Sequence, residues 1–342
     1  MVSLLPYNTL RVPAKAHDFK LLKSLKELKK LRLVGPHLFL GGGANILFVH
    51  DFAGTVIHIN LKGKKIISER DDEITIEVAA GENWHDIVMW AVQNNWYGME
   101  NMALIPGTVG AAVVGNIAAY GQNQEDIFVK LQATSLKTQK IEEFNKADCQ
   151  FGYRESIFKH QLKNYLVTSV TYQLSKTAHL NTSYRSRYES LAAELPPKSS
   201  YTPIDITEAV IRLRSKKLPD PKLIGTAGSF FKNPIISKKK YLTLAKQISG
   251  LQAYPPQKLQ YTDEFQWLDK VDQVKIPAGR ILDELGWKAK RVGNVGTYPT
   301  HALTVVNYGG ATGAEIYDFA ETMRADVKKN FDIDLEYEVV IV

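Results

Sequence analysis

The stretch Leu104-Ile-Pro-Gly-Thr-Val-Gly-Ala-Ala-Val-Val-Gly-Asn-Ile-Ala-Ala-Tyr-Gly121 contains four glycines, four alanines and one proline, and no charged residue. A regular helix would lose about 1 kcal/mol for each glycine, and the alternation typical of a strand is missing. Small residues at this density predict a backbone that passes close to a flat, bulky ligand, because absent side chains leave room. A tight crossing of two core elements is the alternative.

The whole chain has the composition of a soluble globular protein, with 342 residues, 44% hydrophobic and 23% charged. This length predicts two or three domains. The single cysteine, Cys149, excludes an intramolecular disulfide and suits a reducing compartment. The first residues lack a signal-peptide pattern, and no apolar run is long enough to cross a bilayer. We therefore expect a cytoplasmic protein without a membrane partner. We also expect a monomer, although the sequence does not itself determine the oligomeric state.

Basic residues exceed acidic ones, 43 against 36, which gives a net charge of +7 and favours anionic ligands. They are spread along the chain without a nucleic-acid-binding motif, so we expect no nucleic-acid partner. The eight histidines are scattered and form no pattern of metal ligands. No metal site is predicted.

The order of helical and strand-like segments predicts an α+β protein with three lobes, at residues 1–60, 61–205 and 206–332. The terminal strand 333–342 is expected to return to the site. In the first lobe, a strand at Leu38–Leu40 runs into Gly41-Gly-Gly-Ala-Asn45. Consecutive backbone N–H groups of such a turn can form a nest for phosphate oxygens. A plain connecting turn is the alternative.

Periodicity and capping signals predict the main elements. We expect a long polar loop at residues 178–203. The predicted helices are at 21–31, after the cap Asn83, after a capping box at Asp205–Glu208, at 277–285 and after Thr312–Glu315; the predicted strands are at 46–49, 55–61, 74–78, 129–138, 165–174, 301–306 and 335–342.

Three isolated polar residues could carry chemistry. Arg154 lies in a cluster of aromatic and charged residues, and Ser229 lies between Gly228 and two phenylalanines. Glu338 interrupts an apolar terminal strand that we expect to be covered on both faces, so it needs a partner or a catalytic role. For each residue taken alone, an ion pair, a cap or a buried salt bridge is the alternative.

Seven motifs in order resemble the UDP-N-acetylenolpyruvoylglucosamine reductase family, flavoenzymes that complete UDP-N-acetylmuramate for peptidoglycan. The resemblance covers nearly the whole chain, and the segment 178–203 is similar to the longer, type I branch. The motifs are Gly41–Phe48, Leu104–Gly110, Asn116–Gly121, Phe151–Lys159, Lys217–Pro221, Ala227–Pro234 and Leu335–Val339.

The resemblance implies a vanillyl-alcohol-oxidase (PCMH) type FAD-binding module in the first two lobes and a C-terminal α/β substrate-binding lobe. It implies non-covalent FAD, NADPH as co-substrate, and a UDP-sugar carrying an enolpyruvyl group as acceptor. The implied cofactor-binding residues are Gly41, Gly42, Gly43, Ala44, Asn45, Ile105, Pro106, Gly107, Gly110, Ala111, Asn116, Ala119, Tyr120 and Gly121.

The resemblance also implies roles for the isolated polar residues. Arg154 and Glu338 would stabilise the enolate that forms on the substrate, and Ser229 would donate the proton that completes the reaction. The residues that would bind the sugar nucleotide, largely at its diphosphate, are Tyr188, Lys217 and Asn233. Tyr184 is the alternative to Tyr188 as the tyrosine of the substrate loop.

Four features depart from the family pattern. Val113-Val-Gly115 replaces a more usual proline and glutamine, Ala44 replaces a serine, Tyr337 replaces a proline, and Arg291 replaces an uncharged polar residue. Two other functions are compatible with the FAD module alone. One is an oxidase acting on a sugar or lactone, and the other is a non-enzymatic module that senses flavin or nucleotide.

Overall fold

The computed structural model of the chain describes residues 1–184, 190–256 and 265–342. The chain divides into two compact units. The five-strand unit comprises residues 19–42 and 55–214, and the terminal unit comprises residues 1–18, 43–54 and 215–342. The division into three lobes stays a prediction.

The five-strand unit is built on an antiparallel sheet with the strand order Ile141–Asn145, Phe128–Ser135, Tyr165–Ser175, Glu73–Ala79 and Lys64–Glu69. Its other strands are the parallel pair formed by His37–Leu40 and the end of Phe52–Ile59, and the short pair Ala118–Ala119 and Gln122–Asn123. Its helices are Leu25–Lys30, Trp84–Gln93, Val109–Val114, Gln124–Ile127, Leu191–Glu194 and Pro203–Lys217. The last residues of Pro203–Lys217 belong to the terminal unit.

The core of this unit follows directly from its periodicity. Alternate side chains of Glu73–Ala79 are buried, and the apolar stripe of the helix Trp84–Gln93 is buried as well. Asn83 caps that helix by accepting a hydrogen bond from the Asp86 N–H at 3.1 Å. The predicted cap and helix are confirmed.

The terminal unit contains a four-stranded antiparallel sheet with the order Gly225–Ser229, His301–Asn307, Val295–Tyr298 and Arg291–Val292. Thr312 and Glu315 form the predicted capping box of its longest helix, which buries one apolar stripe. The helices of this unit are Lys238–Gln247, Ala278–Glu284 and Gly313–Phe331, and its other strands are Val2–Ser3, the start of Lys15–Leu22, Ile46–Leu47, Ile235–Ser237, Gln273–Lys275 and Val340–Ile341.

Two predicted helix starts were wrong. The helix predicted at 21–31 spans Leu25–Lys30, because Ser24 caps it and Leu22 ends a strand. The capping box lies at Thr202 and Asp205, three residues before the predicted one. Asp205 accepts hydrogen bonds from the Thr202 N–H and hydroxyl at 2.9 and 2.8 Å. The following helix ends at Lys217, before Pro219.

Two other expectations also need correction. The glycine-rich opening stretch contains a short helix, Val109–Val114, whose valines are largely buried. The predicted terminal strand is regular only at Val340–Ile341, where it pairs in parallel with Ile46–Leu47. Val340 is exposed, so the expectation that both faces are covered was wrong there. Among the described helices, none is both long and apolar enough to cross a membrane.

Candidate functional site

The triple-glycine turn and the opening stretch meet in the five-strand unit. A Cβ atom on Gly42 would lie 2.9 Å from the Gly107 Cα, and one on Gly41 would lie 2.7 Å from the Thr108 Oγ1. Real Cβ atoms are not found at such distances from backbone, so only glycine allows this approach at position 42. Two motifs more than sixty residues apart in the sequence are therefore in direct contact.

The turn itself offers hydrogen-bond donors. Gly43 has a φ of +61°, and its C=O accepts a hydrogen bond from the Thr9 N–H. Within the described residues, no hydrogen bond engages the backbone N–H of Gly42, Gly43 or Ala44. Backbone N–H groups left over in a glycine-rich turn are the donors that bind phosphate oxygens elsewhere.

The opening stretch ends in a tight hairpin. Ala118 and Ala119 pair with Asn123 and Gln122, and Tyr120 and Gly121 between them have φ values of +47° and +84°. Positive φ at both central residues is the requirement of a type I′ turn. The Tyr120 ring is buried and packs edge-on against Tyr184 at a centroid distance of 4.8 Å.

Asn116 connects the opening stretch to the turn that carries Arg154. Its side-chain amide donates a hydrogen bond to the Gly152 C=O at 2.9 Å and accepts one from Gln124 Nε2 at 3.0 Å. Arg154 has a left-handed backbone with φ of +58°, and its Nη1 reaches the Asn116 C=O at 3.5 Å. A strained, half-buried arginine held in this way is a functional-site candidate.

A buried polar network that the sequence analysis missed supports the same segment. The Glu100 carboxylate is fully buried and accepts hydrogen bonds from the Gly98 N–H and from Gln122 Nε2, both at 2.6 Å. Asn101 Nδ2 donates to the Tyr120 C=O at 2.6 Å and to the Asn181 C=O at 2.9 Å. Burial raises the pKa of Glu100. A charged residue inside the apolar run 96–105 was the available signal.

Ser229 is positioned in the terminal unit by a β-bulge. The register of the strand Gly225–Ser229 shifts between Thr226 and Ser229, and Gly228 has a φ of +74°. Bulges of this kind redirect the side chain that follows. Within the described part of the chain the Ser229 hydroxyl forms no hydrogen bond, so its proton is available to a ligand.

Glu338 lies next to Ser229 through the backbone. The Glu338 N–H donates to the C=O of Phe230, the residue after Ser229, at 3.0 Å. Asn45 Nδ2, from the end of the glycine turn, donates to the Glu338 C=O at 2.9 Å. Three motifs from the beginning, middle and end of the chain therefore meet in the terminal unit.

Lys217 and Asn233, the predicted substrate-binding residues, lie in the terminal unit near a histidine that the sequence analysis missed. The Lys217 C=O accepts a hydrogen bond from Thr300 Oγ1 at 2.7 Å, and Asn233 Oδ1 accepts one from the Ala278 N–H at 3.0 Å. His301 follows Thr300, and its Nδ1 accepts from the Leu303 N–H at 3.3 Å. The proton of the neutral imidazole is therefore on Nε2.

Of the two candidates for the tyrosine of the substrate loop, only Tyr184 lies in the described residues. Tyr188 lies outside the described residues, so its role stays a prediction. Tyr184 packs against Tyr120, and its C=O accepts a hydrogen bond from the Leu191 N–H at 3.1 Å.

The glycine turn and its neighbour fit the predicted FAD. Among the described residues, the turn has N–H donors without a hydrogen bond that could bind a diphosphate. A side chain at position 42 would collide with the backbone of Gly107. Ala111 and Ala119, two other predicted cofactor-binding residues, have only a methyl group as a side chain. No group of three metal-binding side chains occurs among the described residues.

We expect Gly42→Ala to weaken the retention of FAD, because its methyl group would lie 2.9 Å from the Gly107 Cα and force the two segments apart. The ratio of flavin absorbance to protein absorbance after gel filtration measures this. Gly279→Ala is the matched control, because Gly279 lies outside the predicted FAD site and its methyl group would meet nothing closer than the His301 Cε1 at 3.4 Å. Equal flavin content in both variants would contradict the prediction.

His301 should also affect the pH dependence of stability. Burial, and then Lys217 and Lys288, lower the pKa of His301 from its ordinary 6.5 to about 3. As the pH falls from 6.5 towards 3, the unfolded chain binds a proton that the folded chain does not, so folded-state stability is lost. We expect His301→Gln to make the free energy of unfolding fall less steeply in this window. Denaturant titrations at several pH values measure this free energy. The same slope of unfolding free energy against pH in both proteins would contradict the prediction.

Comparison with known proteins identifies the family of this chain. A family model described as the C-terminal domain of UDP-N-acetylenolpyruvoylglucosamine reductase matches residues 220–342, and an FAD binding domain model matches residues 26–142. The reductase of Flavobacterium johnsoniae is 42% identical, with 99% of this chain and 98% of the relative covered. The reductase of Bacteroides fragilis is 38% identical, with 98% of each covered. The chain belongs to the UDP-N-acetylenolpyruvoylglucosamine reductase family.

The crystal structure of the family member from Thermus caldophilus has the same fold. It matches with a TM-score of 0.66 at 23% identity and covers 99% of this chain and 97% of its own. The predicted family, the α+β fold class with an FAD-binding module, and the flavin-dependent oxidoreductase class are confirmed. The roles of single residues stay predictions.

Proposed function

We propose that this chain reduces the enolpyruvyl group of UDP-N-acetyl-3-O-(1-carboxyvinyl)-glucosamine to give UDP-N-acetylmuramate, with NADPH as the electron source. The main supporting observation is that the Glu338 N–H donates to the C=O of Phe230, the residue after Ser229, while the Ser229 hydroxyl forms no hydrogen bond among the described residues. Family membership supports the reaction, and this local geometry supports the assignment of residues.

FAD supplies the relay of a hydride from NADPH to the terminal carbon of the enolpyruvyl group. The residues proposed to hold its diphosphate are in the glycine turn, where the N–H groups of Gly42, Gly43 and Ala44 form no hydrogen bond with any described residue. The replacement of serine by Ala44 removes a hydroxyl but no backbone donor. The opening stretch is proposed to lie against the flavin ring, because its small side chains leave a flat surface.

Ser229 is proposed to protonate the carbon next to the substrate carboxylate. A serine hydroxyl is a weak acid, but an enolate is basic enough to take its proton, so position decides the rate. The bulge at Gly228 and the hydrogen bond between Phe230 and the terminal segment support this assignment, because they restrain the backbone on both sides of Ser229.

Arg154 and Glu338 are proposed to act on the negative charge of the substrate. The guanidinium of Arg154 would stabilise the enolate and carboxylate oxygens as charge develops there. Glu338 is proposed to lie near the substrate carboxylate, in a segment whose backbone is hydrogen-bonded to Phe230, the residue after Ser229.

Lys217, Asn233 and His301 are proposed to bind the sugar nucleotide. Lys217 and Lys288 lie close enough to His301 for their positive charges to lower its pKa, and positive charge favours an anionic ligand. The neutral imidazole of His301 adds an Nε2–H hydrogen-bond donor without adding a third positive charge. A diphosphate matches this set of two cations and neutral donors.

Purified protein and two assays test the proposed function. We expect a visible flavin spectrum, loss of that absorbance when NADPH is added without oxygen, and its return when the enolpyruvyl substrate follows. Substrate-dependent oxidation of NADPH supports the proposal. Oxygen consumption with a sugar or lactone, without NADPH, would instead indicate an oxidase. Flavin binding without either reaction would indicate a sensing module.

We also propose that the protein acts in the cytoplasm as a monomer. The single, buried Cys149 supports a reducing compartment. Burial and then Asp148 raise the pKa of the Cys149 thiol to about 12, so this cysteine stays unreactive. Light scattering of the holoenzyme would reveal any dimer.

A further inference from the structure

Tyr337 precedes Glu338 and is enclosed by aromatic rings. It stacks on Phe231 at a centroid distance of 5.3 Å and on Tyr317 at 5.9 Å, both at 29° between ring planes. Phe230 meets the same ring edge-on at 5.9 Å. Phe230 and Phe231 directly follow Ser229. The aromatic packing therefore joins the segment of the proton donor to the segment of Glu338.

The hydroxyl end of Tyr337 is held by charged side chains of the helix Gly313–Phe331. Tyr337 donates a short hydrogen bond to Glu321 Oε1, which also accepts from Arg324 Nη1 at 2.6 Å. The Arg324 guanidinium lies 5.0 Å from the centre of the Tyr337 ring. Its Nε donates to the Leu335 C=O at 2.9 Å. Both ends of the segment 335–337 are thus tied to one helix.

Burial alone would raise the pKa of Glu321, but the hydrogen bonds from Tyr337 and Arg324 outweigh it and lower that pKa. Glu321 is therefore an ionised acceptor at neutral pH. Hydrogen bonds to a charged acceptor are stronger than neutral ones.

We propose that Tyr337 is a positioning residue, which holds the backbone of Glu338 beside Ser229 through its anchorage to Glu321 and Arg324. The proposal rests on the proposed function. Its geometric basis is that the Tyr337 Cα pairs with Phe231, while the Glu338 N–H donates to the Phe230 C=O at 3.0 Å. A shift of the tyrosine therefore moves the Glu338 backbone relative to Ser229.

The departure from the family pattern at this position has a physical explanation. A proline, more usual there, fixes its own φ near −65°. A tyrosine does not fix φ at position 337, so the backbone of the segment 335–337 needs another restraint. The stacked rings and the hydroxyl anchor supply it through the side chain.

Tyr337→Phe tests the anchor, because it keeps the stacked ring and removes only the hydroxyl. In stopped-flow experiments on the holoenzyme we expect unchanged flavin reduction by NADPH and about tenfold slower reoxidation by the enolpyruvyl substrate. Tyr317→Phe is the matched control. It removes a hydroxyl from the neighbouring stacked ring, and in the described part of the chain that hydroxyl forms no hydrogen bond. Equal reoxidation rates in Tyr337→Phe and wild type would overturn the proposal.

A double-mutant cycle separates positioning from general destabilisation. If Tyr337 acts through Glu338, Tyr337→Phe should have no further effect on reoxidation in a Glu338→Gln background. The same fold-decrease in both backgrounds would overturn the proposal, even if the thermal midpoint falls. Wild-type protein that NADPH reduces but the enolpyruvyl substrate does not reoxidise would contradict the proposed function instead.

Discussion

Ser229→Ala should leave the reduction of the flavin by NADPH intact and slow its reoxidation by the enolpyruvyl substrate by at least about a hundredfold. The reason is that only the second half-reaction needs a proton at the substrate carbon. The Ser229 hydroxyl has no competing hydrogen bond among the described residues, and the bulge at Gly228 redirects its side chain. Rapid-mixing measurements of the two half-reactions, each followed by flavin absorbance, separate the two steps.

Ser237→Ala is the control for the loss of a hydroxyl in the same unit. Ser237 caps the helix Lys238–Gln247 by accepting from the Lys240 N–H at 3.2 Å. Its loss should reduce stability by about 1 kcal/mol and leave both half-reactions unchanged. If Ser229→Ala slowed both half-reactions equally, Ser229 would have no specific role as proton donor.

Arg154→Ala should reduce the rate of the second half-reaction by about 10²–10³-fold, the usual effect of removing a preorganised donor to a developing negative charge. Reduction by NADPH should change little, since that step creates no enolate. Arg154→Lys keeps the charge but loses the planar fork of the guanidinium. We therefore expect a rate between those of wild type and Arg154→Ala.

The backbone at Arg154 makes a second comparison informative. Its φ of +58° suits glycine better than alanine. Arg154→Gly should thus retain more stability than Arg154→Ala in thermal unfolding, while both lose the same catalytic function. A near-wild-type rate of reoxidation in either variant would remove Arg154 from the mechanism.

Much of the fold was predictable from local patterns. The helix after Asn83 and the helix after Thr312 have caps and apolar stripes that the structure reproduces. Local patterns predicted helix starts less reliably where the sequence offers two possible capping boxes. Asp205 begins a plausible capping box, but Thr202 precedes it by three residues and forms the actual one. The valines of Val109–Val114 form a short helix despite the surrounding glycines, because their burial offsets the low helix propensity.

The candidate site was predictable only in part. The sequence singled out Arg154, Ser229 and Glu338 as isolated polar residues, and the motif resemblance implied their roles, but neither gave a partner for any of them. It also missed Glu100 and His301, because a lone acid or histidine in an apolar run has no distinctive spacing. Burial and neighbouring charges identify such residues, and both depend on segments distant in the sequence.

By itself the sequence determined the family and the α+β class, because these depend on residue types at fixed spacing. Only the tertiary structure decided which motifs touch. Gly42 approaches Gly107, and Glu338 pairs with Phe230 more than a hundred residues away. Such contacts depend on the packing of backbone against backbone at long range. Helical and strand periodicity reports only which face of each element is buried.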